Sequence, residues 1–147
     1  MPELTSRFAV ERDCALILQF IRDLAEYEKM SDQVVATEAL LREWIFEKKK
    51  AEVLFACEDG HEVGFALFFH NFSTFLGRAG IYLEDLFVLP EHRGKGYGKA
   101  ILQQLAKITV ERGCGYWSGH VWTGTAQAST STSPSARCRW MIGRPTV

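Results

Sequence analysis

The sequence predicts an α/β fold with a mixed, mostly antiparallel sheet flanked by helices, and three observations carry that prediction. Elements run in the order β, α, α, β, β, β, α over residues 1–115. Early and late stretches repeat apolar residues at the helical period, whereas residues 51–89 carry strand-type runs. A two-residue turn signal, Asp59-Gly60, joins two of those strands directly, which makes them antiparallel neighbours. With 147 residues, 47% of them apolar and 24% charged, the chain suits a single core, the usual span for one domain being about 100 to 200 residues.

A short strand is expected near Arg7 to Val10. Asp13 stands where it would cap a helix whose apolar positions Ile17, Phe20, Ile21 and Leu24 fall at i, i+3, i+4 and i+7, ending near Lys29. Thr37, followed by Leu40, Leu41, Trp44 and Ile45, marks a second and shorter helix. It stops in Lys48-Lys49-Lys50, where cations favour the C-terminal dipole end. Strands are expected at 51–58 and 62–70 around Asp59-Gly60, and a third at 79–89, closed by Pro90. Ile101, Leu102, Leu105 and Ile108 mark a last helix running to about Arg112. Phe65, Phe68, Phe69, Phe72 and Phe75 read as packing residues of the core and of a dimer contact.

Charge and cysteine usage narrow the function classes. A formal net charge of -1 supplies no basic field for nucleic acid. No apolar run approaches the roughly 18 to 20 residues that span a bilayer, and Met1-Pro2-Glu3 lacks the build of a signal peptide, so a cytoplasmic protein away from membranes is expected. Cys14, Cys57, Cys114 and Cys138 show no ligand spacing and read as reduced thiols. His61, His70, His92 and His120 are equally dispersed, so no metal is expected.

Composition changes at residue 116. Residues 116–147 hold no Asp, Glu or Lys, and Ala128 to Ala136 is a Ser/Thr run with nothing to bury, so this tail is not expected to fold on its own. Trp117, Trp122 and Trp140 are unusual in such a tail. They fit coding sequence read in the wrong frame. Because Trp and Met have single codons, taking each third base with the next two forces Leu across Tyr116-Trp117, Asp across Trp122-Thr123 and Asp-Asp across Trp140-Met141-Ile142. The shifted frame can then encode an amphipathic strand and the start of a helix. The domain is therefore placed at 1–115 and a frameshifted tail at 116–147, with the C-terminal strands and helix missing or disordered.

The informative segment is Leu86 to Ala100: a strand, a tight turn, then Gly94, Gly96 and Gly98 opening a helix. Glycines let backbone amides approach a ligand, and a helix N-terminus offers unpaired N–H groups at its positive end. Arg93, Lys95 and Lys99 add charge, so a phosphate or diphosphate is the expected ligand. Gly94 and Gly98-Lys99 lie too close together for a P-loop, and Lys99 stands where a dinucleotide fingerprint needs its last glycine.

Arg93-x-x-Gly96-x-Gly98 after an acidic-apolar strand resembles the acetyl-CoA signature of the GCN5-related N-acetyltransferase (GNAT) superfamily. Tyr82-Leu-Glu-Asp-Leu-Phe-Val88 and Leu24-Ala-Glu-Tyr-Glu-Lys29 are similar to the diamine (spermidine/spermine) and thialysine acetyltransferases, and the resemblance runs through residues 5–115. It implies a GNAT-type fold and an enzyme that moves an acetyl group from acetyl-CoA to a primary amine of a small polyamine or lysine-like molecule. It also implies a homodimer. The main chain of Leu86, Phe87 and Val88 would pair with the pantetheine arm, while the amides of Arg93, Gly94, Lys95, Gly96, Tyr97, Gly98 and Lys99 hold the diphosphate. Glu84 matches the family's general base. Strand alternation is expected to send Asp85 to the other face. Tyr27 and Glu28 match positions lining the amine site, with Asp85 beside them and Glu26 and Asp32 adding acidity. His92 is expected to be exposed and without chemistry. One departure is serious: the tyrosine that the group uses as general acid is missing here, and in the shifted frame it would span the codons of Ser131 and Thr132. The chain as written is thus expected to be weakly active or inactive, and poorly stable. The alternatives are a non-catalytic CoA-binding pseudoenzyme and a protein or antibiotic N-acetyltransferase.

Overall fold

The computed structural model describes residues 4–121 and 139–143. Six strands form one sheet in chain order: β1 (Leu4–Phe8), β2 (Glu52–Glu58), β3 (His61–Ser73), β4 (Arg78–Val88), β5 (Trp117–Val121) and β6 (Arg139–Gly143). Neighbouring strands are antiparallel except β4 and β5, which run parallel. The helices are α1 (Cys14–Tyr27), α2 (Glu38–Leu41) and α3 (Tyr97–Glu111). Ile17, Phe20 and Leu24 of α1 pack with Val53, Phe55 and Phe65 on one face of the sheet. Ile101, Leu105 and Ile108 of α3 pack with Leu54, Phe68, Ile81 and Leu83 on the other. Because β2 is covered on both faces, Val53 to Cys57 are buried without interruption, as in a central strand.

The expected hairpin forms at Asp59-Gly60. Both residues adopt positive φ, 51° and 83°, as a tight two-residue turn requires. β3 continues past its expected end to Ser73, β4 is displaced by one residue to Arg78–Val88, and a second hairpin at 74–77 joins them, which leaves Phe75 fully exposed and Phe72 and Leu76 largely so. Phe65 and Phe68, by contrast, are wholly buried.

Asp13 does not cap α1. Its carboxylate accepts from Val10 N at 2.7 Å and from the Arg7 guanidinium at 2.9 and 3.1 Å, so it closes the turn between β1 and α1 instead. Arg7, which also donates to Glu62 at 2.7 Å, draws the carboxylate toward β1 and β3. The Arg7 guanidinium, through its hydrogen bonds, holds both carboxyls below their usual range. The first strand ends at Phe8, short of Val10, because the chain turns away here. Thr37 does cap its helix, accepting from Leu40 N at 3.2 Å, but α2 passes at once into a π-helical stretch, Arg42–Glu47, that buries Ile45 and leaves Trp44 half-exposed under the Lys48 ammonium.

The expectation that the C-terminal strands are missing is corrected for two segments of the tail. Trp117–Val121 adds to β4 in register with Ile81, Tyr82 and Leu83, and β6 adds to β5. Backbone groups on the β4 edge offer a template that needs no apolar periodicity in the incoming segment. Trp117 packs against the α3 core, and Tyr116 lies over Gly80 while donating to Asn71 at 2.8 Å. The Ala128 to Ala136 run, with Ser131 and Thr132, lies outside the described residues. Cys14, Cys57 and Cys114 are free, buried thiols pushed up by burial; Cys138 lies outside the described residues.

Candidate active site

The site begins where β4 changes character. On its β3 side Leu83 pairs with Phe68 and Asp85 with Leu67, so β4 carries one extra residue, a β-bulge at Glu84-Asp85. Ile81 and Leu83 before the bulge and Leu86 and Val88 after it all pack on the α3 face. Two residues instead of one lie between those pairs, and Glu84 and Asp85 share the α1 side. The expectation that alternation separates these carboxylates is thereby overturned: the extra residue resets the alternation.

The bulge is also where β5 stops following β4. Described β4–β5 pairing ends at Leu83 with Gly119, and an ideal Cβ at Gly119 would stand 2.4 Å from Leu83 O, so glycine lets the two backbones close up at that last pair. Beyond it, described pairing of β4 is with β3 alone. Leu89 N donates to Val63 O at 2.9 Å, and antiparallel alternation then turns the N–H and C=O of Phe87 to β3 and those of Leu86 and Val88 away from it. Leu86 and Val88 thus present backbone groups at this edge, and one of them, Val88 O, accepts from Arg93 Nε at 2.9 Å. The Phe87 ring is buried and lies 6.0 Å from that of Tyr27.

Past Val88 a tight turn, Pro90–His92, leads to the glycines. Gly94 and Gly96 adopt φ of 81° and 79°, and a Cβ added at Gly94, Gly96 or Gly98 would meet nothing within 4 Å among the described residues. Gly96, which has no side chain to cap with, is the N-cap of the 15-residue α3. The residues present therefore fit a diphosphate: open space, left-handed glycine backbone and the uncapped positive end of a helix. Lys99 is exposed here. Arg93 folds back, its guanidinium 4.0 Å from the Tyr27 ring centre and 5.1 Å from that of Phe87, so it buttresses the loop and joins it to α1.

Glu58, at the end of β2, was not anticipated. It accepts from Tyr97 OH and from Lys95 Nζ, the latter at 3.0 Å, and its Oε2 lies 3.2 Å from His92 Nδ1. The Tyr97 hydroxyl and then Lys95 hold the Glu58 carboxyl below its usual range, and the Glu58 acceptor pushes the Tyr97 phenol up to about 12. His92 is not exposed as expected: the Pro90–His92 turn folds its ring inward, and Nδ1 is buried without a hydrogen-bond partner among the described residues. An acidic residue closing a buried strand just before a tight turn was the only sequence signal for Glu58.

On the α1 side, a cleft of about 230 Å³ is lined by Ile21, Leu24, Ala25, Glu28, Met30, Gln33, Val34 and Asp85. It brings together Glu28 and Asp85, 57 positions apart in sequence. Tyr27, at the end of α1, reaches Phe87 and Arg93 and so stands between this cleft and the glycine loop. Among the described residues no group of three or more His, Cys, Asp or Glu is placed to hold a metal, and no helix is long and apolar enough to cross a membrane.

A splayed parallel strand pair beside a bulge, with a glycine-opened helix at its end, is an arrangement for an extended thioester arm and its diphosphate. Comparison with known proteins identifies the family. The acetyltransferase (GNAT) family matches residues 17–129, and the chain belongs to that family. Thialysine N-epsilon-acetyltransferase of Bos taurus is 43% identical over 117 residues, covering 74% of this chain and 68% of the relative. The Sus scrofa enzyme of the same name is 42% identical, covering 78% and 72%. A solved aminoglycoside acetyltransferase from an uncultured soil metagenomic sample superposes with a TM-score of 0.73 over 98% of this chain and 96% of its own, at 18% identity, which bears on the fold alone. The chain is thus an acetyltransferase, and GNAT acetyltransferases use acetyl-CoA.

Proposed function

We propose that this protein transfers the acetyl group of acetyl-CoA to a primary amine of a small polyamine or lysine-like molecule. The cleft shared by Glu28 and Asp85 beside the β4 bulge carries the reading, because paired carboxylates favour a cationic amine. The names of the two mammalian relatives support a lysine-like side chain.

Acetyl-CoA supplies an acetyl group activated as a thioester. The chain's own residues do the rest. Amides of Arg93 to Lys99 hold the diphosphate, and the edge groups of Leu86 and Val88 orient the arm along β4. A free alkylamine has a pKa near 10 and must lose a proton before it can attack. Glu84, at the bulge, accepts that proton directly or through one water. As the amine nitrogen takes the acetyl group the C–S bond breaks and the thiolate leaves, drawing its proton from solvent in a chain without the general-acid tyrosine, while Asp85, Glu28 and Tyr27 hold the remainder of the amine.

The exposed Phe72, Phe75 and Leu76 of the second hairpin support a homodimer, which sedimentation would detect; a cytoplasmic location is part of the same proposal. We assign the acetyltransferase core to residues 1–115 and read 116–147, two segments of which join its sheet, as frameshifted sequence that lacks the general acid. The deciding experiment assays acetyl-CoA turnover by the 147-residue chain and by a frame-restored version on thialysine, lysine, spermidine, an aminoglycoside and a peptide. Turnover on the small amines is expected, faster in the restored chain by about 100-fold, the scale of general-acid catalysis. CoA binding without turnover in either chain would favour a pseudoenzyme, and preference for the aminoglycoside or the peptide would reject the substrate class.

A further inference from the structure

We propose that Glu58 is a positioning residue that holds the diphosphate loop in its receptive shape before the coenzyme arrives. This rests on the reading of Arg93 to Lys99 as the diphosphate site.

Glu58 is well placed to act as a template. It is the last residue of a strand buried on both faces, and the turn that follows it has only two residues, both at positive φ, so the carboxylate stands on a rigid support. Its side chain is 14% exposed. Three residues of the loop segment converge on it: Tyr97 through its hydroxyl, Lys95 through its ammonium, and His92 through a buried ring nitrogen 3.2 Å from Oε2. Those residues lie more than 30 positions downstream in the sequence, so this contact is a tertiary fixture, not a local turn.

An acidic group beside an anion site looks like a fault, since it repels the ligand. Its neighbours remove the objection. With the carboxyl held low and the phenol held high, Glu58 stays ionised and Tyr97 stays protonated across the neutral range, so the Tyr97–Glu58 bond persists there. The Lys95 ammonium offsets the negative charge. Tyr97 is at once a member of the α3 core and the first residue of α3, whose amide belongs to the cradle. Fixing its hydroxyl to β2 therefore fixes the register of the amides that follow, and a site ordered in advance binds more tightly because less freedom is lost on binding.

The experiment titrates CoA calorimetrically into the wild-type chain and into Glu58→Ala, Glu58→Gln, Tyr97→Phe and the double variant Glu58→Ala/Tyr97→Phe, with steady-state kinetics alongside. Loss of the Tyr97–Glu58 charge-assisted hydrogen bond predicts CoA binding about 10-fold weaker in Tyr97→Phe, and Glu58→Ala, which also loses the Lys95 bond, is weakened by at least as much. In kinetics the loss falls on the KM for acetyl-CoA and not on kcat. The double variant is no weaker than Glu58→Ala, because the Tyr97 link is already broken there. Glu58→Gln, which keeps an acceptor oxygen, recovers most of the affinity. Tyr97→Phe retains the ring in the core and serves if Glu58→Ala does not fold. Unchanged CoA affinity in the variants, or additive losses, would overturn the proposal while leaving the diphosphate reading intact. Failure of the wild-type chain to bind CoA would instead sink that reading, and the template with it.

Discussion

Residues 78–83 and 84–88 belong to one strand and differ in what borders them. The first half pairs with β3 on one side and, from Ile81, with β5 on the other, and it buries Ile81 and Leu83 against α3. The second half pairs with β3, sets two carboxylates on one side through its bulge, and runs straight into the glycine loop. The difference teaches where chemistry fits into a sheet. The closed half supplies rigidity, and the open half keeps backbone hydrogen-bonding groups that a ligand can take up in place of a neighbouring strand.

The sharpest break of the closed half is Phe68→Ala. Phe68 is wholly buried opposite Leu83, and its truncation is expected to cost about 3–5 kcal/mol, read by denaturant unfolding. In the open half, Glu84→Gln is expected to lower kcat by about 100-fold with little change in acetyl-CoA KM, as loss of a general base should. Asp85→Asn should instead raise the KM for the amine. If the two variants exchange these signatures, the roles are reversed, which their placement on one side of the sheet permits. At the junction, Gly119→Ala forces a Cβ against Leu83 O and should destabilise the chain by about 2 kcal/mol, an overpacking penalty visible in thermal melts.

The smallest expected effect lies away from β4. Arg7 holds Asp13 and Glu62 below their usual range. Carboxyls lowered in the folded state add stability that is present above their unfolded pKa, near pH 4, and vanishes as pH falls through their folded values. Arg7→Met should therefore cost about 1 kcal/mol at pH 7, a figure reduced for the partial exposure of Arg7, and the gap from wild type should close below about pH 4. A gap that stays constant between pH 7 and pH 3 would show that the ion pairs contribute nothing.

Much of this was legible in the sequence where the signal is local. Asp59-Gly60 demands positive φ at both positions, Thr37 caps its helix, and three closely spaced glycines after an apolar strand announce a backbone cradle. What escaped depends on tertiary partners. No glycine marks the bulge at Glu84-Asp85, and only its pairing with β3 reveals it. Asp13 has the right spacing for a helix cap, yet a stronger partner, Arg7, takes its carboxylate. The strands of the tail draw on an edge of β4 that no reading of residues 116–147 by themselves could supply. Glu58 has no local signal beyond ending a strand before a turn, and its contacts exist only because the chain folds Lys95 and Tyr97 onto it.

The central claim is that the glycine-opened end of α3 binds a diphosphate. A crystal structure of this chain with CoA tests it most directly. Diphosphate oxygens are predicted within about 3 Å of amide nitrogens between Gly94 and Lys99. A diphosphate bound elsewhere, or a cradle filled by the protein's own side chains, would contradict the account.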